Sequence, residues 1–195
     1  MRRKARAQTR AALVTAAKFL SDAVLCYAGL RLAYFLRFET GWIPAPKGIP
    51  ALSDYQSAFL LATVVYLLFL RWCRAYESEA TPSPLDEFYT VVLAVTGGSL
   101  LLLAATFFYR GFSYSRLWAV IGWFTTVGLV SLGRAAIGLA LRALHAKGRL
   151  VLRVALIGEG LGRLREFIER RADLGYKVSF HSERGGLEEV RKVCR

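Results

Sequence analysis

Four charged side chains interrupt the longest apolar stretches of this sequence: Lys18, Asp22 and Arg31 in or beside the first, and Arg134 at the end of the last. A charge at membrane depth is costly, so by default it marks a proton relay, a substrate path or a structural pair. The blander use is that of residues near the end of a span whose side chains snorkel to the boundary. Depth favours the blander use for most of them. Leu117 to Gly133 measures about 25 Å of helix, which sets Arg134 near one boundary, and Asp22 lies about one turn inside the same boundary. Lys18 and Asp22 are four residues apart and can pair on one helix face. The matching depths give a sharper expectation: Asp22 pairs with Arg134 and ties the first helix to the fourth at the rim. Arg31 is deeper and would reach toward the opposite interface beside Arg37. No series of acids and histidines crosses the apolar region, which argues against a pump or transporter.

The remaining chemistry-bearing residues are sparse. Cys26, Cys73 and Cys194 are far apart with no C-x-x-C spacing, so no metal ligand set is expected. His145 and His181 are isolated among basic neighbours, and no general acid/base constellation stands out. No catalytic residue, metal or cofactor is therefore assigned to this chain. Gly158 and Gly160 follow an apolar run and fit the first two positions of G-x-G-x-x-G. The third position holds Arg163, and Gly162 comes one residue early. These two glycines are the candidate nucleotide-binding residues, with a tight strand-to-helix turn as the alternative. Arg71, Arg74 and Arg142 flank the apolar stretches and are candidate contacts to lipid phosphate, with ordinary interfacial anchoring as the alternative.

These residues are carried by a chain of 195 residues, 55% apolar and 21% charged, with a mean hydropathy of +0.37. That balance excludes a disordered chain and a disulfide scaffold. The formal charge of +13 would elsewhere suggest nucleic acid, but the apolar runs decide first and no nucleic-acid partner is expected. A bilayer core needs roughly 20 apolar helical residues. Four stretches fit: about 19–36, 51–70, 88–109 and 117–134, the last with an amphipathic continuation to Lys147. Basic residues cluster at the N-terminus (Arg2, Arg3, Lys4, Arg6, Arg10) and after the fourth span (Arg142, Lys147, Arg149, Arg153), which places both termini in the cytoplasm. Trp42, Tyr55, Tyr109, Tyr114 and Trp118 would form an outer aromatic belt, and Trp72, Tyr76 and Tyr89 an inner one. The basic start suits a cleaved signal peptide, but Lys18 and Asp22 interrupt the apolar region after it and no clear A-x-A site follows, which argues against one. The same basic run could lie along an anionic membrane surface.

Beyond Lys147, LVLRVALIGEG reads as a buried strand closing on glycines. A helical segment ending at Gly175 follows, then a second strand at YKVSF, Tyr176 to Phe180. The expected organisation is a basic cytoplasmic or interfacial N-terminus (1–18), a four-helix transmembrane domain (19–147), and a partial Rossmann-like β-α-β segment (148–195). The fold class is an α-helical membrane protein: a four-transmembrane-helix bundle followed by a partial α/β cytoplasmic segment. No G-x-x-x-G lies in the spans, so a homo-oligomer stays open without a motif behind it.

Several motifs together carry a resemblance. The first span contains Asp22 and ends in A-Y-x-L-R-F (Ala33 to Phe38). L-D-E follows at Leu85 to Glu87, then F-F-Y-R-G-F-S-Y-S-R at Phe107 to Arg116, R-V-A-L-I-G-E-G at Arg153 to Gly160, and L-G-Y-K-V at Leu174 to Val178. The chain resembles the N-terminal half of bacterial polyprenyl-phosphate sugar-1-phosphate transferases, which start exopolysaccharide or O-antigen repeat units. The resemblance implies four helices in the cytoplasmic (inner) membrane and a degenerate nucleotide-binding-like domain. It also implies a separate C-terminal catalytic domain that uses Mg²⁺ to move a sugar phosphate from a nucleotide sugar to undecaprenyl phosphate. None of that domain is expected within these residues, and a truncated or frameshifted gene product is one explanation. A similar front end occurs in membrane-bound nucleotide-sugar dehydratases/epimerases. A non-enzymatic membrane scaffold or dimerisation module is a third reading.

Overall fold

A computed structural model describes residues 2–42, 44, 48–77, 83–108, 114–147, 152–157, 161–163, 166–167 and 176–182. Four helices, α1 (Arg2–Tyr34), α2 (Leu52–Trp72), α3 (Pro84–Phe108) and α4 (Arg116–Ala146), precede two strands, β1 (Leu152–Ile157) and β2 (Tyr176–Ser182). All four helices contain a stretch long and apolar enough to cross a membrane: Ala12–Glu39, Leu52–Trp72, Pro84–Thr106 and Arg116–Leu144. The chain divides into two compact units, Met1–Ala136 and Ile137–Arg195.

The first helix begins earlier than the first apolar stretch, and the fourth continues past Arg134 as its spacing suggests. α1 begins at Arg2, so the basic stretch at the start of the chain is helical and continuous with the first span. The run RRKARAQTRAALVTAAK is rich in alanine and arginine and free of glycine and proline, so nothing in it stops a helix. At its other end α1 loosens into a π-helical turn, Phe35–Glu39, where the Thr40 N–H donates to the Phe35 carbonyl at 3.2 Å. The amphipathic stretch after Arg134 is likewise continuous with α4, through to Ala146. α3 opens on Pro84, which lacks the N–H that a first-turn residue leaves unbonded anyway, and Asp86 and Glu87 face the positive end of its dipole.

In lipid, helices are held by close packing and a few polar contacts rather than by the hydrophobic effect. The first unit packs on Phe59, Leu70, Val91, Val95 and Val130, all fully buried. α2 and α3 pack closely because Gly97 has no side chain: a Cβ there would lie 2.6 Å from the Phe69 ring. Beside it, the Tyr66 and Ser99 hydroxyls hydrogen-bond at 2.9 Å, and Trp123 Nε1 donates to Thr96 Oγ1 at 3.0 Å.

At one end of the bundle, aromatic rings converge on Tyr55. Trp118, Tyr114, Tyr34 and Phe38 lie 5.0, 5.2, 5.3 and 5.6 Å from it by ring centroids. The Tyr55 hydroxyl accepts the Ser115 N–H at 3.1 Å, Tyr34 donates to the Pro50 carbonyl at 2.6 Å, and Trp118 Nε1 donates to the Leu30 carbonyl at 3.3 Å. This corrects the aromatic belt: Tyr55 and Trp118 are buried between helices, and so is Tyr76, whereas Trp42, Trp72 and Tyr89 are exposed. Each of the three buried rings has partners across the bundle, which the linear sequence does not display.

In the second unit β1 and β2 pair in parallel, from Leu152 opposite Tyr176 to Ile157 opposite Ser182. The register shifts between Val154 and Ala155. Parallel strands need a long crossover between them, and the residues separating β1 from β2 provide the length.

Candidate functional site

Of the buried charged residues, Asp22 and Arg134 lie at the end of the bundle away from Tyr55, whereas Arg37 lies at the Tyr55 end, over the Phe38 ring at 5.1 Å and donating to the Pro44 carbonyl at 3.1 Å. On α1, Asp22, Cys26, Leu30 and Ala33 are buried at helical spacing, and on α4 Val127, Val130 and Arg134 are. The two helices approach closely where side chains are missing. A Cβ on Gly29 would lie 2.8 Å from the Thr126 backbone, and one on Gly133 would collide with Leu25. That approach lets a short carboxylate on one helix reach a guanidinium on the other.

Asp22 and Arg134 meet in a bidentate pair. Arg134 Nη2 donates to Asp22 Oδ2 at 2.6 Å and Nε donates to Oδ1 at 3.2 Å, with the two side chains 0% and 2% exposed. Fork-on-fork geometry is the strongest arrangement open to such a pair. The third arm of the guanidinium, Nη1, donates to the Ala75 carbonyl at 3.3 Å, and the Tyr76 ring lies under the cation at 5.4 Å. Arg134 therefore gathers the start of the bundle, its last helix and the turn after α2 at one point.

Sequence reasoning missed the Ala75 and Tyr76 contacts, because they depend on a backbone conformation. Arg74 has φ 58°, the left-handed region usually left to glycine at a helix C-terminus. There the Ala75 N–H bonds back to the Leu70 carbonyl at 3.0 Å, and the chain reverses so that Ala75 and Tyr76 face Arg134. Burial pushes the Tyr76 phenol well up from its usual range, and the Asp22 carboxylate pushes it the same way. Burial also raises the Cys73 thiol at the end of α2.

Lys18 does not turn to Asp22. It donates to Glu87 Oε1 at 2.7 Å, both side chains about 15% exposed, and so joins α1 to α3. The signal for this pair was present, since Glu87 opens α3 at the boundary where Lys18 enters, but i,i+4 spacing pointed elsewhere. Arg31 pairs with Glu39 at 3.0 Å and lies over the Tyr34 ring at 5.3 Å. Arg71 and Arg74 are exposed, Arg74 beside Glu77 at 3.3 Å, and Arg142 in the second unit is half-buried. Cys26 is buried, and Gly158, Gly160 and Cys194 lie outside the described residues. Among the described residues, no group of three or more His, Cys, Asp or Glu could hold a metal ion.

The family described as a CoA-binding domain matches residues 60–182, from within α2 to the last residue of β2. The chain belongs to the CoA-binding-domain family. This domain is one that occurs in sugar transferases. No curated relative matches the chain. The CoA-binding-domain match takes in Arg134, Ala75 and Tyr76 but starts after Asp22, so the pair joins the family region to the helix that precedes it.

Proposed function

We propose that this chain is the membrane-anchoring N-terminal part of a polyprenyl-phosphate sugar-1-phosphate transferase of the bacterial inner membrane, with both termini in the cytoplasm. One observation carries the reading. A single family region, of a kind found in sugar transferases, runs without a break from the second apolar helix to the end of β2. Membrane helices and parallel strands then belong to one inherited unit, and a sugar transferase acting on a lipid-linked acceptor needs its soluble part held at the bilayer. The acceptor on this reading is undecaprenyl phosphate and the donor a nucleotide sugar, with Mg²⁺ belonging to a catalytic domain elsewhere. The buried ion pairs join helices to one another, a structural use rather than a catalytic one.

On the same reading β1, the segment after it and β2 form the opening of a Rossmann-like sheet. Gly158 and Gly160 are its candidate nucleotide-binding turn, and the exposed Arg71 and Arg74, with Arg142, are contacts to lipid phosphate. The parallel pairing of the strands also suits a membrane-bound nucleotide-sugar dehydratase/epimerase, where that turn would take a dinucleotide. The family name offers coenzyme A, another adenosine diphosphate, as a ligand for the same turn.

The test reconstitutes the 195-residue chain in vesicles with labelled nucleotide sugar, undecaprenyl phosphate and Mg²⁺. No label is expected in the lipid fraction. Fused ahead of a sugar-transferase catalytic domain deprived of its own membrane region, the chain is expected to restore transfer. Turnover by the chain alone overturns the anchoring role, and an inert, membrane-bound fusion overturns the transferase reading. Saturable NAD binding to the chain alone would favour the dehydratase/epimerase.

A further inference from the structure

The exposed apolar face of α2 is shorter than those of α3 and α4. Its middle exposes only Leu60, Leu61, Val64 and Leu68, but Ser57 is exposed on one side of that stretch and Arg71 on the other. Along the helix, Ser57 and Arg71 are about 21 Å apart. On α3 the exposed face runs from Phe88 to Phe108, about 30 Å. Among its described residues only Thr106 interrupts it, and that hydroxyl donates to the Leu103 carbonyl at 2.6 Å. On α4 the exposed residues from Leu117 to Ala136 are apolar or glycine over about 28 Å. A hydrocarbon core is about 30 Å thick, so α3 and α4 match it and α2 falls short by about 9 Å.

Packing shows which end is short. The Tyr66 hydroxyl bonds Ser99 at 2.9 Å, and a Cβ on Gly98 or Gly97 would meet the Tyr66 or the Phe69 ring. The number falls on α3 as it rises on α2, so the two helices are antiparallel with Phe69 near the level of Gly97. Ser57 is then level with Phe108, and the two apolar faces end together on that side. Arg71 is level with about Ala94, some 9 Å short of Phe88. A long side chain can snorkel across part of such a gap, but a whole polar turn lies here. The Arg74 N–H donates to the Arg71 carbonyl at 3.2 Å and the Glu77 N–H to the Arg74 carbonyl at 3.0 Å, and Arg71, Arg74 and Glu77 are all exposed. The turn is held in place, because Ala75 and Tyr76 meet the buried Arg134. A bilayer meets a short apolar surface by thinning, and guanidinium groups take phosphate oxygens in a bidentate fork.

We propose that lipid headgroups dip beside the end of α2, drawn in by Arg71 and Arg74, so that the bilayer is thinner there than beside α3. This rests on the reading of Arg71 and Arg74 as contacts to lipid phosphate and adds the depth at which those phosphates stand. Leu68 and Leu93, 62% and 51% exposed, report that depth on the two helices. Leu68 is near the level of Gly97, about 6 Å further from this end of the bundle than Leu93. A p-acetylphenylalanine carrying a nitroxide replaces one of them at a time in the full chain, with the native cysteines left in place. The chain is reconstituted in fluid vesicles of phosphatidylcholine and phosphatidylglycerol. Each nitroxide's depth is read from its relative accessibility to oxygen and to a water-soluble nickel complex.

In a flat bilayer Leu68 reads deeper than Leu93. The expected result is that Leu68 reads no deeper than Leu93. With Arg71→Gln and Arg74→Gln together the headgroups withdraw, and Leu68 becomes the deeper site by about 6 Å. Arg71→Gln alone leaves the left-handed residue of the turn untouched and gives part of that shift. A native chain in which Leu68 is the deeper site overturns the proposal, and so does a native order that the arginine substitutions leave unchanged. Spin-labelled phosphatidylglycerol separates this failure from failure of the underlying reading. If the substitutions lower its motionally restricted fraction while the native depths are those of a flat bilayer, the phosphate contacts stand and the thinning falls. If they change neither the depths nor that fraction, both fall.

Discussion

The two ends of the helical bundle are joined by opposite means. At one end, Asp22, Arg134, Lys18 and Glu87 make ion pairs between helices, with Ala75 and Tyr76 completing the shell of Arg134. At the other, rings from three elements meet around Tyr55, and the polar tips of Tyr34, Tyr55 and Trp118 each find a backbone partner. A charged end fails when one partner is removed, because the survivor stays buried and unpaired. An aromatic end fails by degrees, since each ring loses only its own share of contact. The asymmetry concentrates sensitivity on α1 and α4.

The largest effect should come from separating the buried pair. Asp22→Ala leaves the Arg134 guanidinium without its carboxylate, a loss of about 3–5 kcal/mol. It is read as a lower midpoint in reversible unfolding in mixed micelles. The double variant Asp22→Leu with Arg134→Leu is expected to recover most of that loss, because apolar groups of similar size can replace a buried pair at little cost. A double variant as weak as the single one would show that the site depends on the charges themselves. Next in size is Gly29→Val. Its side chain would meet the Thr126 backbone, which cannot rotate away as a flexible side chain could. Overpacking of this kind costs about 1–3 kcal/mol. Cross-linking between cysteines placed on α1 and α4 should slow with it.

The contrast between the two ends also decides what the sequence could disclose. A charge inside an apolar run is conspicuous, and helix rise converts its position into depth, so Asp22 and Arg134 could be named together from the sequence. The aromatic residues gave only their types. A tryptophan or tyrosine near a span's end reads as a belt residue whether it faces lipid or a neighbouring helix, and Tyr55 and Trp118 were read as belt residues although they pack between helices. The Ala75 carbonyl was invisible for a different cause, since a backbone acceptor has no residue type and here depends on the left-handed turn at Arg74. The strand stretches were legible as apolar runs beside glycine, and the helical segment read between them gave the β-α-β order whose strands pair in parallel, while the register shift between Val154 and Ala155 was not legible. The two ends of the helices differed: the continuation after Arg134 was legible from its spacing, whereas the helical start at Arg2 was not. The basic N-terminus and the stretch after Arg134 both favour helix as strongly as the spans they continue.

The aromatic end should answer more gently. Tyr55→Phe keeps the ring among Tyr34, Phe38, Tyr114 and Trp118 but removes the acceptor of the Ser115 N–H. The expected loss is about 1 kcal/mol, the net contribution of one such hydrogen bond. Amide exchange at Ser115 should quicken, while the midpoint moves far less than for Asp22→Ala. A comparable loss from both substitutions would mean that the two ends are not built on different principles.

The smallest effect tests the turn that serves Arg134. A non-glycine residue in the left-handed region stores about 1 kcal/mol or slightly more. Arg74→Gly removes that strain but gives back part of the gain through the freer unfolded chain. The net expectation is a rise in stability below about 1 kcal/mol, with the Ala75 carbonyl still facing Arg134. The ion pair lost with Arg74 is exposed on both sides and adds little. Arg74→Pro makes the opposite change, because its ring cannot adopt a positive φ. That variant should turn Ala75 and Tyr76 away from the guanidinium and weaken the charged end while leaving the rings around Tyr55 untouched. If Arg74→Gly instead destabilises as Arg74→Pro does, the arginine side chain rather than the backbone conformation would be what holds the turn.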